Sequence, residues 1–262
     1  MAESGLSLTR TGLQNAVCQY LGFGLSYSGI TDSNKQTLVN RCIDDGLRAF
    51  YAPLPLPGER ISHIWSFMQP EFTLGIDAAT DSVDLPDDFG GFVGGVYLSS
   101  DDLSWDTVSV CGIGKVLQER QRDNSTTSGA PKYVAIQPLA SDGTGGQRFS
   151  LQFWPSADGV YALKGTYYSN PYQLSATAVY PLGGQPHAET IREAVLAVAE
   201  RDVNDTIGIH NQQFKERLMS SVSLDRRLTG PKSFGMNSDG GAGREPRLFR
   251  NGYVYYNNQI GD

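Results

Sequence analysis

Cysteine is scarce in this sequence. Cys18, Cys42 and Cys111 are far apart and form no C-x-x-C pair, which excludes the common zinc and dithiol arrangements. Cys18 and Cys42 fall on the apolar faces of predicted helices and are expected to be buried, reduced thiols. Histidine is equally sparse. His63, His187 and His210 show neither H-E-x-x-H nor paired metal spacing, and each is expected to be structural or superficial. No G-x-S-x-G elbow occurs. Gly112-Ile-Gly-Lys115 ends like a phosphate loop, but Ser109 replaces the first glycine and Val116 the hydroxyl residue. Leu117 likewise spoils a G-x-G-x-x-G reading. The doublets Asp44-Asp45, Asp87-Asp88 and Asp101-Asp102 point neighbouring carboxylates to different faces, which suits turns and solvated surfaces better than catalytic pairs. Asn124-Ser-Thr is a glycosylation sequon with no secretion signal beside it. No enzyme, cofactor or metal site is expected.

Positive charge is also short. Lys and Arg number 21 against 28 Asp and Glu, a net charge of −7. That argues against a nonspecific nucleic-acid or membrane binder, but it suits a surface that DNA slides past without sticking. Long apolar runs are missing. The longest that can be helical, Ala194–Ala199, falls far below the roughly 20 residues of a membrane span. The first residues carry no basic segment followed by an apolar one, so no secretory signal is expected.

What remains is a glycine-rich chain with 30 glycines and 39% apolar residues, long enough to bury a proper core. Leu13, Ala16, Val17, Tyr20 and Leu21 predict a helix over 8–21 that stops at Gly22. Leu38, Val39, Cys42, Ile43, Leu47 and Phe50 predict a helix over 32–51. Gly46 shares its apolar face, where it permits close packing of a neighbour. Ile61, Ile64, Trp65 and Phe67 read as a short aromatic patch. Strands are predicted at Phe72–Ile76, at Val83 and Leu85, from Phe89 to Leu98, between Trp105 and Ile113, at Tyr133–Gln137, and at Phe149–Phe153. Lys115–Arg122 suits one short polar helix. Pro155–Gly159 is expected to close a hairpin onto a return strand carrying Tyr161, Leu163, Gly165 and Tyr167. Helix then returns: Pro186 suits a first turn, Ile191 to Val203 form a stripe, Asn204–Gly208 interrupts it, and Phe214 to Val222 form a second stripe reaching about Arg227. A helix pair joined by so short a loop is expected to pack antiparallel. The fold class is therefore α+β: an antiparallel helical bundle with an inserted β-sandwich or barrel-like module and an extended C-terminal arm. The expected divisions are 1–68, 69–170, 171–228 and 229–262.

The arm differs in kind. Gly, Pro, Ser and Gln make up 12 of the 34 residues in 229–262, a composition that cannot build its own core. It is +1 while the body is −8, and extended it reaches roughly 110 Å. A tail of this kind is ordered only where something holds it, so a partner and an assembly are expected. Arg244, Arg247, Leu248, Phe249, Arg250, Tyr253, Val254, Tyr255 and Tyr256 are the candidate partner-binding residues. Tyr253–Tyr256 can add a strand to an exposed sheet edge while the arginines pair nearby acids.

In order and spacing these segments resemble the head-to-tail connector adaptor proteins of tailed bacteriophages. The resemblance is carried by helix 32–51 ending Leu-Arg-Ala-Phe-Tyr51, the patch at Trp65, Leu-Pro-Asp-Asp-Phe89 and Gly-Ala-Pro-Lys-Tyr133. It continues through Phe-Trp-Pro155, Tyr-Ala-Leu-Lys-Gly-Thr-Tyr-Tyr168, Leu174-Ser175, the Ala-rich helix 188–203 and the final helix around Phe214–Leu218. It implies a structural virion protein of the neck, assembled in the host cytoplasm as a ring, usually of twelve copies, beneath the portal. The implied partners are the portal protein, a tail or nozzle protein, and genomic DNA passing nonspecifically through the lumen, with no membrane. An alternative is a carbohydrate- or receptor-binding β module of a tail or fibre accessory, with Trp105 and Trp154 among its aromatic face.

Overall fold

The computed structural model describes residues 4–99, 106–123, 127–141, 143, 146–204 and 207–229. These form an α+β structure of five α-helices and seven strands. The helices are α1 (Arg10–Tyr20), α2 (Ser33–Tyr51), α3 (Ile113–Arg122), α4 (Ala188–Asn204) and α5 (Ile209–Thr229). The strands are β1 (Glu71–Ile76), β2 (Ser82–Asp84), β3 (Phe89–Ser99), β4 (Asp106–Val110), β5 (Tyr133–Pro138), β6 (Phe149–Trp154) and β7 (Tyr161–Ser169).

Local chemistry sets the helix ends. The Thr9 side chain accepts from Gly12 N–H at 3.1 Å at the start of α1, and Asp32 accepts from Asn34 N–H at 2.9 Å at the start of α2. Gly22, at φ +69°, turns the chain away after α1. One hydrophobic core joins α1, α2, α4 and α5 with Trp65, Met68 and Leu174. The apolar face of α4 is wide: Ile191, Ala194 to Ala199 and Ala188 are all buried. On α2, a Cβ built at Gly46 would lie 2.5 Å from Val195 Cα. The expected close approach is real, and the neighbour is the backbone of α4.

The expected aromatic patch divides in two. Trp65 is fully buried, stacks near Phe50 and Phe67, and donates its indole N–H to Phe50 C=O at 2.9 Å. Ile61 and Ile64 instead face solvent. The segment lies outside regular structure, so spacing along it does not encode a face.

The second core belongs to the sheet, with strand order β1-β7-β3-β4-β5-β6-β2. All neighbours are antiparallel except β4 and β5, which run parallel and are bridged by α3. The end strands β1 and β2 approach one another, so the sheet is nearly closed into a barrel. Phe72, Ile76, Phe89, Val96, Leu98, Val134, Leu151, Phe153 and Leu163 fill its inside.

The expected hairpin between the sixth and seventh strands does not form. Strand β6 pairs with β5 and β2, and β7 with β1 and β3. The 155–159 loop spends its backbone bonds elsewhere. Ala157 N–H donates to Thr80 C=O at 2.9 Å, Ala157 C=O accepts from Ala79 N–H at 2.8 Å, and Ser156 C=O accepts from Gly129 N–H. The loop is thus held against the turn that joins the two end strands, at one end of the sheet. The alternation predicted for the fourth strand also fails at its end: Val108 is buried and Val110 exposed, because the strand changes partner from β3 to β5 between them.

The chain enters the sheet at β1 and leaves it from β7, and these two strands are direct neighbours. Tyr167 N–H donates to Pro70 C=O at 3.1 Å, and Ser169 Oγ to Met68 C=O at 3.3 Å.

Candidate functional site

Among the described residues, the buried carboxylates and the histidines serve the packing of the fold. Asp225 on α5 is 2% exposed. It accepts from Ser66 N–H at 3.1 Å and from Ser66 Oγ, and lies 2.8 Å from His63 Nε2. The carboxylate sits between serine and histidine, so no imidazole faces the hydroxyl, and a Ser–His–Asp mechanism needs the histidine in the middle. The cluster instead ties the segment before β1 to α5, and Glu59 adds a bidentate pair with Arg226.

His210 opens α5 with Nδ1 2.7 Å from Glu193 Oε2 and its backbone N–H on Glu200 Oε2 at 3.2 Å. This fastens the turn between α4 and α5. His187 lies in the aromatic cluster with Phe50, Trp65 and Phe67, with no partner for Nδ1 among the described residues. Burial holds its pKa below the ordinary histidine value, partly offset by Asp225 and reinforced by His63.

Cys18 and Cys42 are fully buried, as expected. Desolvation pushes the Cys42 thiol up to about 11, with the Asp202 carboxylate adding to the rise. The phosphate-loop lookalike is the start of α3, where Gly112 is the cap and Lys115 pairs with Glu119 and stands over the Tyr133 ring. Among the doublets, Asp45 pairs with Arg48, Asp44 accepts from Gln173, and Asp88 accepts the Tyr167 hydroxyl. Burial first, and then Asp88, push that phenol up to about 12. Among the described residues no cluster of His, Cys, Asp and Glu is arranged to hold a metal, and no helix is long and apolar enough to cross a membrane.

The surfaces are more informative. Residues 61–114 contain no Lys or Arg but carry Glu71, Asp77, Asp81, Asp84, Asp87, Asp88, Asp101, Asp102 and Asp106. Within the sheet, Arg120 from α3 answers this charge: it pairs with Asp81 at 3.3 Å and donates to Phe153 C=O and Gln152 Oε1. The gap between β1 and β2 is rimmed by exposed Glu71, Thr73, Gly75, Ser82 and Asp84. A separate groove of about 510 Å³ lies between α2, α4, α5 and the Pro53–Pro57 loop, with Leu54, Val198, Phe214 and Met219 in its lining.

Residue-by-residue reading missed both surfaces. A running count of basic residues would have found the first. The second needs the packing of three helices. The Trp154 ring is half-buried and stacks on Tyr133 with centroids 6.0 Å apart, its indole N–H enclosed. Trp105, Asp101, Asp102 and Asn124 lie outside the described residues. So do all the proposed arm contacts, Arg244, Arg247, Leu248, Phe249, Arg250, Tyr253, Val254, Tyr255 and Tyr256.

Residues 8–234 match a family model described as the SU10 adaptor protein. No curated protein matches the chain.

Proposed function

Because the chain belongs to the SU10 adaptor protein family, a family of phage structural proteins not known for enzymes, we propose that it is the adaptor ring beneath the portal, joining capsid to tail in the virion neck. The observation that carries this reading is the extent of the match, which runs from α1 through the sheet to the end of α5. In this reading residues 1–68 and 171–228 build the ring body as an antiparallel bundle, 69–170 project as a module, and 229–262 are the arm that grips the portal or a neighbouring subunit. The ring is of twelve copies, and its other partner is a tail or nozzle protein. The mechanism is geometric. Subunits pack side by side, the arm locks, and the net charge of −7 keeps DNA from adhering as it passes.

The test is assembly. Immunogold microscopy of virions is expected to mark the neck, and purified chain to restore tail joining to portal-containing heads. A chain lacking 229–262 is expected to keep its helical circular dichroism but fail to join heads. Joined, infectious particles made with the truncated chain would refute the arm's role, and label on fibres alone would refute the neck assignment.

A further inference from the structure

The sheet closes everywhere except between β1 and β2. Pro70 C=O bonds to Tyr167 N–H, so by antiparallel alternation the backbone groups of Phe72, Leu74 and Ile76 face β7 while those of Glu71, Thr73 and Gly75 face away. On that outward side they meet no strand among the described residues. All three residues are exposed, and β1 runs in unbroken register with β7 without a bulge. Proteins usually guard such an edge with lysine, a bulge or a covering segment. Here the exposed side chains on and beside the two edges are Glu71, Asp77 and Asp84, none in an ion pair among the described residues, and the one nearby cation on this face is Lys164, one strand further in, opposite Thr73.

We propose that this edge receives residues Arg244–Tyr256 of a second copy of the chain as an added strand that completes the barrel. The inference rests on the arm being the partner-binding segment and names its partner. Three observations support it. The occupant is complementary in charge: Arg244, Arg247 and Arg250 outnumber Glu245, against a rim without any basic residue from 61 to 114. It is complementary in backbone preference, since Tyr253-Val-Tyr-Tyr256 is of the aromatic and β-branched composition that strands favour. It is long enough, because the 24 residues from Gly230 to Tyr253 span up to about 80 Å, well beyond a body with a radius of gyration near 17 Å. Every copy offers both an edge and an arm, so the contact is head-to-tail, the kind that builds a ring when its rotation closes.

The test uses full-length chains with Cys111→Ser. One carries Thr73→Cys; the other, distinguished by a tag, carries Tyr253→Cys or Tyr255→Cys. After mixing and mild oxidation, the expected product is a reducible heterodimer, formed at several times the yield obtained with Leu117→Cys, an exposed control on α3. About 0.5 M salt is expected to reduce the yield several-fold. Glu71→Lys with Asp84→Lys should do the same, and Arg247→Glu with Arg250→Glu in the other chain should restore it. Equal yields at Thr73 and Leu117, or cross-links confined within single chains when one chain carries both cysteines, overturn the proposal. If the cysteine variants do not fold, amide exchange of the unmodified chain decides. Slowing of about tenfold at Glu71, Thr73 and Gly75 with rising concentration supports it, and unchanged exchange overturns it. Cross-linking without head joining counts against the portal assignment alone. Head joining that needs 229–262 without any cross-link counts against this contact alone.

Discussion

Replacing Gly46 with alanine probes the tightest contact of the helical core. In an exposed helix the change gains about 1 kcal/mol from propensity. At Gly46 the added methyl would sit 2.5 Å from Val195 Cα and 2.8 Å from Val195 N, where ordinary contact begins at 3.4 Å. Both are backbone atoms, so no rotamer change relieves the overlap and α2 must move from α4. Overpacking of this kind costs about 1–3 kcal/mol. The rigidity of the obstacle selects the upper end, and after the propensity gain the net loss is about 2 kcal/mol. For a body of this size that lowers Tm by about 4–8 °C. The assay is urea unfolding followed by far-ultraviolet circular dichroism and by the fluorescence of Trp65, which lies in the same core. Gly114→Ala on α3, with nothing within 4 Å of the new methyl, is the control and should gain up to about 1 kcal/mol. Val195→Ala removes the Cγ2 methyl but leaves the backbone obstacle in place, so it should rescue Gly46→Ala only in part. A Gly46→Ala protein as stable as wild type would refute the reasoning.

Three further outcomes follow from the buried groups. His187 is held below its unfolded pKa, so the unfolded chain binds the extra proton. Stability should therefore fall as pH drops through about 6.5, and His187→Phe should flatten that part of the urea-midpoint profile. Arg120→Met removes donors to Asp81, Phe153 and Gln152 and should cost about 2–4 kcal/mol, read as faster amide exchange across α3, β2 and β6 with α1, α2, α4 and α5 unaffected. Cys42, raised to about 11 by burial, should resist thiol reagents at pH 8 until urea is added, while the less buried Cys111 reacts first.

Much of the fold was legible because its signals are local. The stripe from Leu38 to Phe50 and the oxygen of Asp32 define α2 almost to the residue. Alternation places Phe149, Leu151 and Phe153 on β6. Pairing was not legible. The Pro155–Gly159 segment has hairpin composition, yet its bonds to Ala79 and Thr80 depend on residues some 75 positions away. The apolar groove and the open β1 edge are likewise products of packing and topology, which no window of sequence contains. The acidic stretch from 61 to 114 was legible in principle, because it is only a count.

The neighbouring positions of β1 and β7 have a mechanical consequence. Both passages between helical body and sheet run through one narrow stem, near Met68–Pro70 and Tyr167–Asn170. A short linker from Met68 to Asn170 should therefore leave α1, α2, α4 and α5 folded, and the sheet with α3 can be exchanged like a tool head on a common handle. Any pull on the barrel is carried by that stem before it reaches the helices.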